Sequence, residues 1–211
     1  MHQINWGIIG SGSIANAFSY SIQAATNSKL TSIFGRNPKK VDAFADKFHI
    51  DAHHQLDDFI SSEEIDAIYV ATPHSEHFFY ALEAIKNGKH VLCEKPFTMN
   101  AYESMILLDL ANAKNIFLME AFMYRTHPQT RNILDNLHFL SDAKSKIMIE
   151  ASFGFKADVL ATHRLRNPEL GGGAILDVGC YPLTMAKLIA GPIAGSSICR
   201  AKKSLSNWSA R

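Results

Sequence analysis

Up to Glu120 the chain alternates between two hydrophobic patterns. Short apolar runs stop at glycine, threonine or glutamate. Between them lie longer stretches whose apolar residues recur at helical spacing. The runs INWGIIG (4–10), LTSIFG (30–35), IDAIYVAT (65–72), KHVLCE (89–94) and IFLME (116–120) are of the first kind. Their near-continuous apolar character predicts strands buried on both faces, as in a parallel sheet. Between them, 14–25 places Ala15, Phe18, Ile22 and Ala25 on one helical face. From Pro38 onward, Val41, Phe44, Ala45 and Phe48 fall at i, i+3, i+4 and i+7. A third helix is predicted over 76–87, closed by Gly88. A fourth covers 100–115, with Asn100 as N-cap and Glu103 placed for a capping box. Strand and helix in turn predict an α/β fold with a doubly wound parallel sheet.

The pattern changes near Tyr124. A helix is predicted over 129–140, then a long strand over KIMIEASFGF (146–155). GGGAILDVGCYPLTMAKLIAG (171–191) reads as helical and SSICRAKKSL (196–205) as a further strand. That order suits the incomplete start of an α+β, open-sheet domain.

Composition narrows the function. A net charge of +1 in 211 residues gives no basic face for nucleic acid or an anionic membrane. Apolar runs fall short of a membrane span, and the N-terminus has no signal-peptide pattern. The three cysteines form neither a metal spacing nor an even disulfide set, which suits a cytoplasmic protein. His53 and His54 are adjacent but lack a carboxylate or cysteine partner at ligand spacing. They read as a polar loop, and no metal site is expected.

Gly10-Ser11-Gly12-Ser13-Ile14-Ala15 fits G-x-G-x-x-A between a strand and a helix. Gly10 permits the tight turn, Gly12 admits a pyrophosphate, and Ala15 lets helix and strand pack closely. Ser13 and Ile14 open the helix whose N-terminus faces the phosphate charge. This is the fingerprint of a Rossmann dinucleotide site. An NAD site places an acid at the end of the second strand, but the chain reads Gly35-Arg36-Asn37-Pro38 there. Arg36 suits the 2′-phosphate of NADP and can stack on adenine; the other reading is a solvated basic loop. NADP is the expected coenzyme, with NAD possible. The fourth strand ends in Glu94-Lys95-Pro96. A lysine at that edge points into the ligand crevice and can assist proton transfer, although most lysines are surface groups.

The segments GIIGSGSIA, ATPHSEH, CEKPF, LMEAFMYRTHP and ELGGGAILDVGCYP, in that order, resemble the Gfo/Idh/MocA oxidoreductases. Within that family they are most similar to the branch of dihydrodiol dehydrogenase and NADP-dependent D-xylose dehydrogenase. The resemblance implies a catalytic Lys95 after a Glu94 near the nicotinamide ribose, and a cis peptide before Pro96. It implies that Thr72, Pro73 and His74 lie against the coenzyme, with His77 as a further family-pattern residue. It also implies an acid, Asp177, and a proton-handling Tyr181 four positions on. At i and i+4 these share one helical face. Read alone, they are first a helix cap and a packing aromatic. With the resemblance, Tyr181 exchanges the substrate proton, Lys95 lowers its pKa, and Asp177 holds a substrate hydroxyl. The triple glycine would let backbone approach coenzyme and substrate, and Pro182 would kink the helix. Arg125 is a candidate substrate contact.

The expected division is a Rossmann domain over 1–122 and a partial substrate and oligomerisation domain over 123–211. Family members are longer and usually dimeric, so the chain reads as C-terminally truncated. The expected activity is NAD(P)-dependent hydride transfer at the hydroxyl-bearing carbon of a small-molecule sugar or cyclic diol. The alternative is a non-catalytic, dinucleotide-binding member.

Overall fold

The computed structural model describes residues 3–137, 148–160 and 162–191. Six strands form one parallel sheet in the order β3-β2-β1-β4-β5-β6. They are β1 (Ile4–Ile9), β2 (Ser28–Phe34), β3 (Asp51–His53), β4 (Ala67–Val70), β5 (His90–Glu94) and β6 (Leu118–Ala121). Helices α1 (Ser13–Gln23), α2 (Pro38–Phe48), α3 (Leu56–Ser61), α4 (His77–Lys86) and α5 (Ala101–Ala113) connect them.

The strands are apolar throughout because each face meets helices. Ile8, Ile33 and Tyr69 pack with Ala15, Val41, Phe44 and Phe48 of α1 and α2. Ile9, Ile68, Val70 and Val91 pack on the other face with Phe59, Ala81, Ile85 and Leu107. Neighbours such as Ile8 and Ile9 therefore serve opposite cores, which is the period of two of a strand. Local signals hold the helix ends. Asn37 accepts from the Lys40 N–H at 3.2 Å, with Pro38 at the first helical position. Asn100 accepts from the Glu103 N–H at 3.0 Å, and Glu103 Oε2 accepts from the Met99 N–H at 3.0 Å. The latter is a reciprocal cap one residue before the expected partner.

The sequence pattern missed β3 and α3. β3 is a three-residue edge strand, Asp-Ala-His, paired among the described residues with β2 alone, so no apolar run marks it. His54 Nε2 lies 3.2 Å from Asp42 Oδ1, and His53 meets the Phe59 ring edge-on.

Past β6, a 3₁₀ turn (Met123–Thr126) and α6 (Pro128–Asp135) follow. Positions 138–140 of the expected helix and the expected strand over 196–205 lie outside the described residues. The expected strand over 146–155 is corrected for its described part. Residues 148–160 form no strand, because no strand among the described residues lies beside them to share a backbone ladder. Further on come a 3₁₀ turn (Pro168–Leu170), a π-helical turn (Ile175–Gly179) and α7 (Cys180–Ala190). Pro168–Ala190 is long and apolar enough to cross a membrane by length and composition, at mean hydropathy 1.3, contrary to the expectation from apolar runs. The span is apolar because Gly, Ala, Leu and Ile fill it between and beyond two acids, Glu169 at its start and Asp177, whose side chain contacts Lys95.

Candidate active site

A cavity of about 590 Å³ opens at the carboxyl ends of β1, β2, β4 and β5. It straddles the point where strand order reverses between β1 and β4, where open α/β sheets bind ligands.

The turn after β1 forms its floor. Gly10 has φ +106, and a Cβ there would sit 2.7 Å from the Ala71 carbonyl oxygen, so conformation and space both demand glycine. Its N–H donates to the Phe34 carbonyl at 2.8 Å. At Gly12 an added Cβ would meet no protein atom within 4 Å. That space lies over the N-terminus of α1, where an anion is favoured. Ser13 and Ile14 line the cavity, while Ala15 is fully buried beneath it and holds α1 on the sheet.

The ends of β2 and β4 form one flank. Arg36, Asn37 and Lys40 line it from one side, and Thr72, Pro73, His74 and Glu76 from the other. Arg36 Nη2 lies 2.7 Å from Glu76 Oε1. Burial pushes the Glu76 carboxyl above its usual range, and Arg36 opposes that shift. Two buried polar atoms on this wall, Thr72 Oγ1 and Glu76 Oε2, have no hydrogen-bond partner among the described residues.

The two histidines join loops. His77 is fully buried, with Nδ1 2.8 Å from the Pro96 carbonyl and Nε2 3.0 Å from the Thr72 carbonyl. Burial lowers its pKa, and a neutral ring donates to one of the two. His74 Nδ1 faces the Gly171 carbonyl at 3.1 Å. Gly171 has φ +76, and a Cβ there would lie 2.8 Å from His74 Cβ and 2.7 Å from Met99 Sδ. This first glycine of the triplet thus packs the segment onto the β4 loop rather than exposing backbone to a ligand.

Lys95, Asp177 and Tyr181 meet at the other flank. The Lys95–Pro96 peptide is cis. Lys95 Nζ donates to the Asp177 carbonyl at 2.6 Å and lies 3.4 Å from Asp177 Oδ1. Pro182 has no N–H to offer this turn, and the backbone widens to π-helical pitch over Ile175–Gly179, a distortion common at functional sites. Asp177 and Tyr181 still line one cavity. Lys95 Nζ sits 5.0 Å from the centre of the Tyr181 ring, which Phe122 and Phe153 meet at 5.4 and 5.1 Å. Below them Tyr69 Oη donates to Glu94 Oε1. Burial also raises the Glu94 carboxyl pKa.

Two expectations change here. Tyr181 is not acidified: burial, then the Glu94 carboxylate, push its phenol up to about 12. The reason is that Lys95 faces the ring and the Asp177 carbonyl. Arg125 is exposed on the 3₁₀ turn and does not line the cavity; Met123 does. Sequence reasoning missed Glu76, which stands inside the ATPHSEH segment but was given no role there, and Arg164. Arg164 lines the cavity with Nη1 3.7 Å from Asp177 Oδ1. The open space at Gly12 and the orphaned polar atoms at Thr72 and Glu76 fit a dinucleotide stretched from the β2 end to Lys95.

A model of the oxidoreductase family with an NAD-binding Rossmann fold, Gfo/Idh/MocA, matches residues 4–122. The chain is 34% identical over 189 residues to a trans-1,2-dihydrobenzene-1,2-diol dehydrogenase of Xenopus tropicalis, covering 87% of this chain and 56% of the relative. It is 30% identical to an NADP⁺ D-xylose 1-dehydrogenase of Haloferax volcanii, covering 88% and 57%. A 3-ketoreductase from Actinomadura kijaniata, solved with NADP and TDP-benzene, superposes with a TM-score of 0.78 at 30% identity, covering 90% of this chain and 58% of that one. The chain thus spans just over half the length of these relatives.

Proposed function

The chain belongs to the Gfo/Idh/MocA oxidoreductase family, and from that premise we propose that it binds NADP, and also NAD, and transfers hydride at the hydroxyl-bearing carbon of a sugar or cyclic diol. Residues 1–122 would form the coenzyme domain and 123–211 part of the substrate domain. The observation that carries this reading is the meeting of Lys95, Asp177 and Tyr181 on the cavity floored by the glycine turn.

Gly10, Gly12, Ser13 and Ile14 would hold the pyrophosphate, and Arg36 and Asn37 the adenosine end. Thr72, Pro73, His74, Glu94 and Lys95 would flank the path toward the nicotinamide. The coenzyme, when bound, supplies the ring that takes or gives hydride. The chain's own residues manage the proton. A phenol with its pKa raised to about 12 is protonated at neutral pH, so Tyr181 suits the donor's role in carbonyl reduction. Lys95 places an ammonium beside it, where negative charge develops on the substrate oxygen. Asp177 fixes Lys95 and offers an acceptor to a substrate hydroxyl. The free thiols of Cys93 and Cys180 suit a cytoplasmic setting.

The test is titration of the chain with NADPH and NADH by nicotinamide fluorescence, then absorbance assays of NADP with D-xylose or a cyclic diol. Turnover is expected. Tyr181→Phe should lower it by about a hundredfold or more while coenzyme affinity holds. Binding without turnover would refute the enzyme and leave a dinucleotide-binding protein. No binding would refute the coenzyme site as well.

A further inference from the structure

The β2 end of the cavity holds a charge arrangement that the glycine fingerprint does not foresee. Two cations, Arg36 and Lys40, line it, as a 2′-phosphate would require. Glu76 lies against Arg36, contributed by the 3₁₀ turn after β4 rather than by β2. Its Oε1 engages Arg36 Nη2 at 2.7 Å. Its Oε2 is buried without a partner among the described residues. The Arg36 side chain is 69% exposed and that of Glu76 only 20%, so the carboxylate is the fixed member of the pair and the guanidinium the movable one. The other carboxylates on the cavity wall, Glu94 and Asp177, belong to the Lys95 flank.

We propose that Glu76 is a specificity-determining residue that holds the coenzyme preference between NADP and NAD, instead of letting Arg36 and Lys40 impose NADP. This rests on the coenzyme reading above. Glu76 acts in two ways. Its charge offsets Arg36 and repels a 2′-phosphate. Its unpartnered Oε2 accepts a hydrogen bond from a neutral donor on the adenosine, a ribose hydroxyl or the adenine amino group, which NAD and NADP both carry. Whereas an NAD site usually draws its acid from the end of β2, here the acid arrives from the turn after β4, across β1, and faces an arginine.

The test compares dissociation constants of NADPH and NADH by fluorescence titration for the unmodified chain, Glu76→Gln and Arg36→Ala. Gln keeps the shape and an acceptor while removing the charge. Thermal melting of each variant shows that it is folded. The expected result is that Glu76→Gln raises the NADPH-to-NADH affinity ratio by about tenfold, or about 1.4 kcal/mol, with NADH affinity changed less than about twofold. Arg36→Ala should lower the same ratio. An unchanged ratio in folded Glu76→Gln, or weaker NADPH binding, would overturn the role of Glu76 while leaving the coenzyme site standing. If the unmodified chain bound neither dinucleotide, the coenzyme reading itself would fall.

Discussion

Two glycines two positions apart do different work, and alanine separates them. At Gly12 the backbone is extended, with φ −77 and ψ −177, which any residue adopts, and an added methyl meets nothing within 4 Å. Alanine is a poorer N-cap than glycine by about 0.5–1 kcal/mol. Its stiffer unfolded chain returns about 0.4–1 kcal/mol. Gly12→Ala should therefore alter stability by less than about 0.5 kcal/mol, which is roughly 1–2 °C in melting temperature for a chain of this size. The methyl would nevertheless occupy the space where a pyrophosphate must approach the α1 N-terminus, so NADPH affinity should fall by about tenfold or more. Gly10→Ala is the opposite case. Its φ of +106 costs an L-residue about 1–3 kcal/mol. A Cβ 2.7 Å from the Ala71 carbonyl adds about 1–3 kcal/mol of overpacking against backbone. The sum, about 2–6 kcal/mol, should lower the melting temperature by more than about 5 °C. Circular dichroism melts and nicotinamide fluorescence read the two effects separately. If Gly12→Ala bound NADPH as the unmodified chain does, the open space would not be a phosphate site. If it melted as early as Gly10→Ala, the turn geometry would be misread.

Two more predictions follow from the Lys95 flank. With the Tyr181 phenol at about 12, the tyrosine keeps its proton throughout the neutral range. Carbonyl reduction should thus be flat from pH 6 to 9, whereas alcohol oxidation should climb with pH over the same interval; a plateau of oxidation near pH 7 would show an acidified Tyr181. Gly171→Ala should push the 163–173 segment off His74 and Met99, cutting turnover at least about tenfold while NADPH affinity changes by less than about threefold, and equal loss of both would place Gly171 in the coenzyme site.

The strands, the helices between them and the glycine turn were legible because each depends on neighbours in sequence. Buried parallel strands must be apolar throughout, amphipathic helices repeat at 3.6, and caps such as Asn37 and Asn100 act within three residues. The edge strand at Asp51–His53 was not legible, because a strand paired on one side needs no apolar run. The segment 148–155 shows the converse: a strand-like pattern makes no strand without a neighbouring strand to pair with. At the site, the sequence determined which residues of the E-K-P and glycine-rich segments stand ready. Only the tertiary structure decided what they face. Lys95 reaches 82 positions along the chain to Asp177, and His74 reaches 97 to Gly171. Arg36 meets Glu76 because β2 and β4 end on either side of β1. Electrostatics follows the same division. Residue type supplied a phenol and an ammonium, but burial, then the Glu94 carboxylate, raised the Tyr181 pKa, while Lys95 is aimed at a backbone carbonyl.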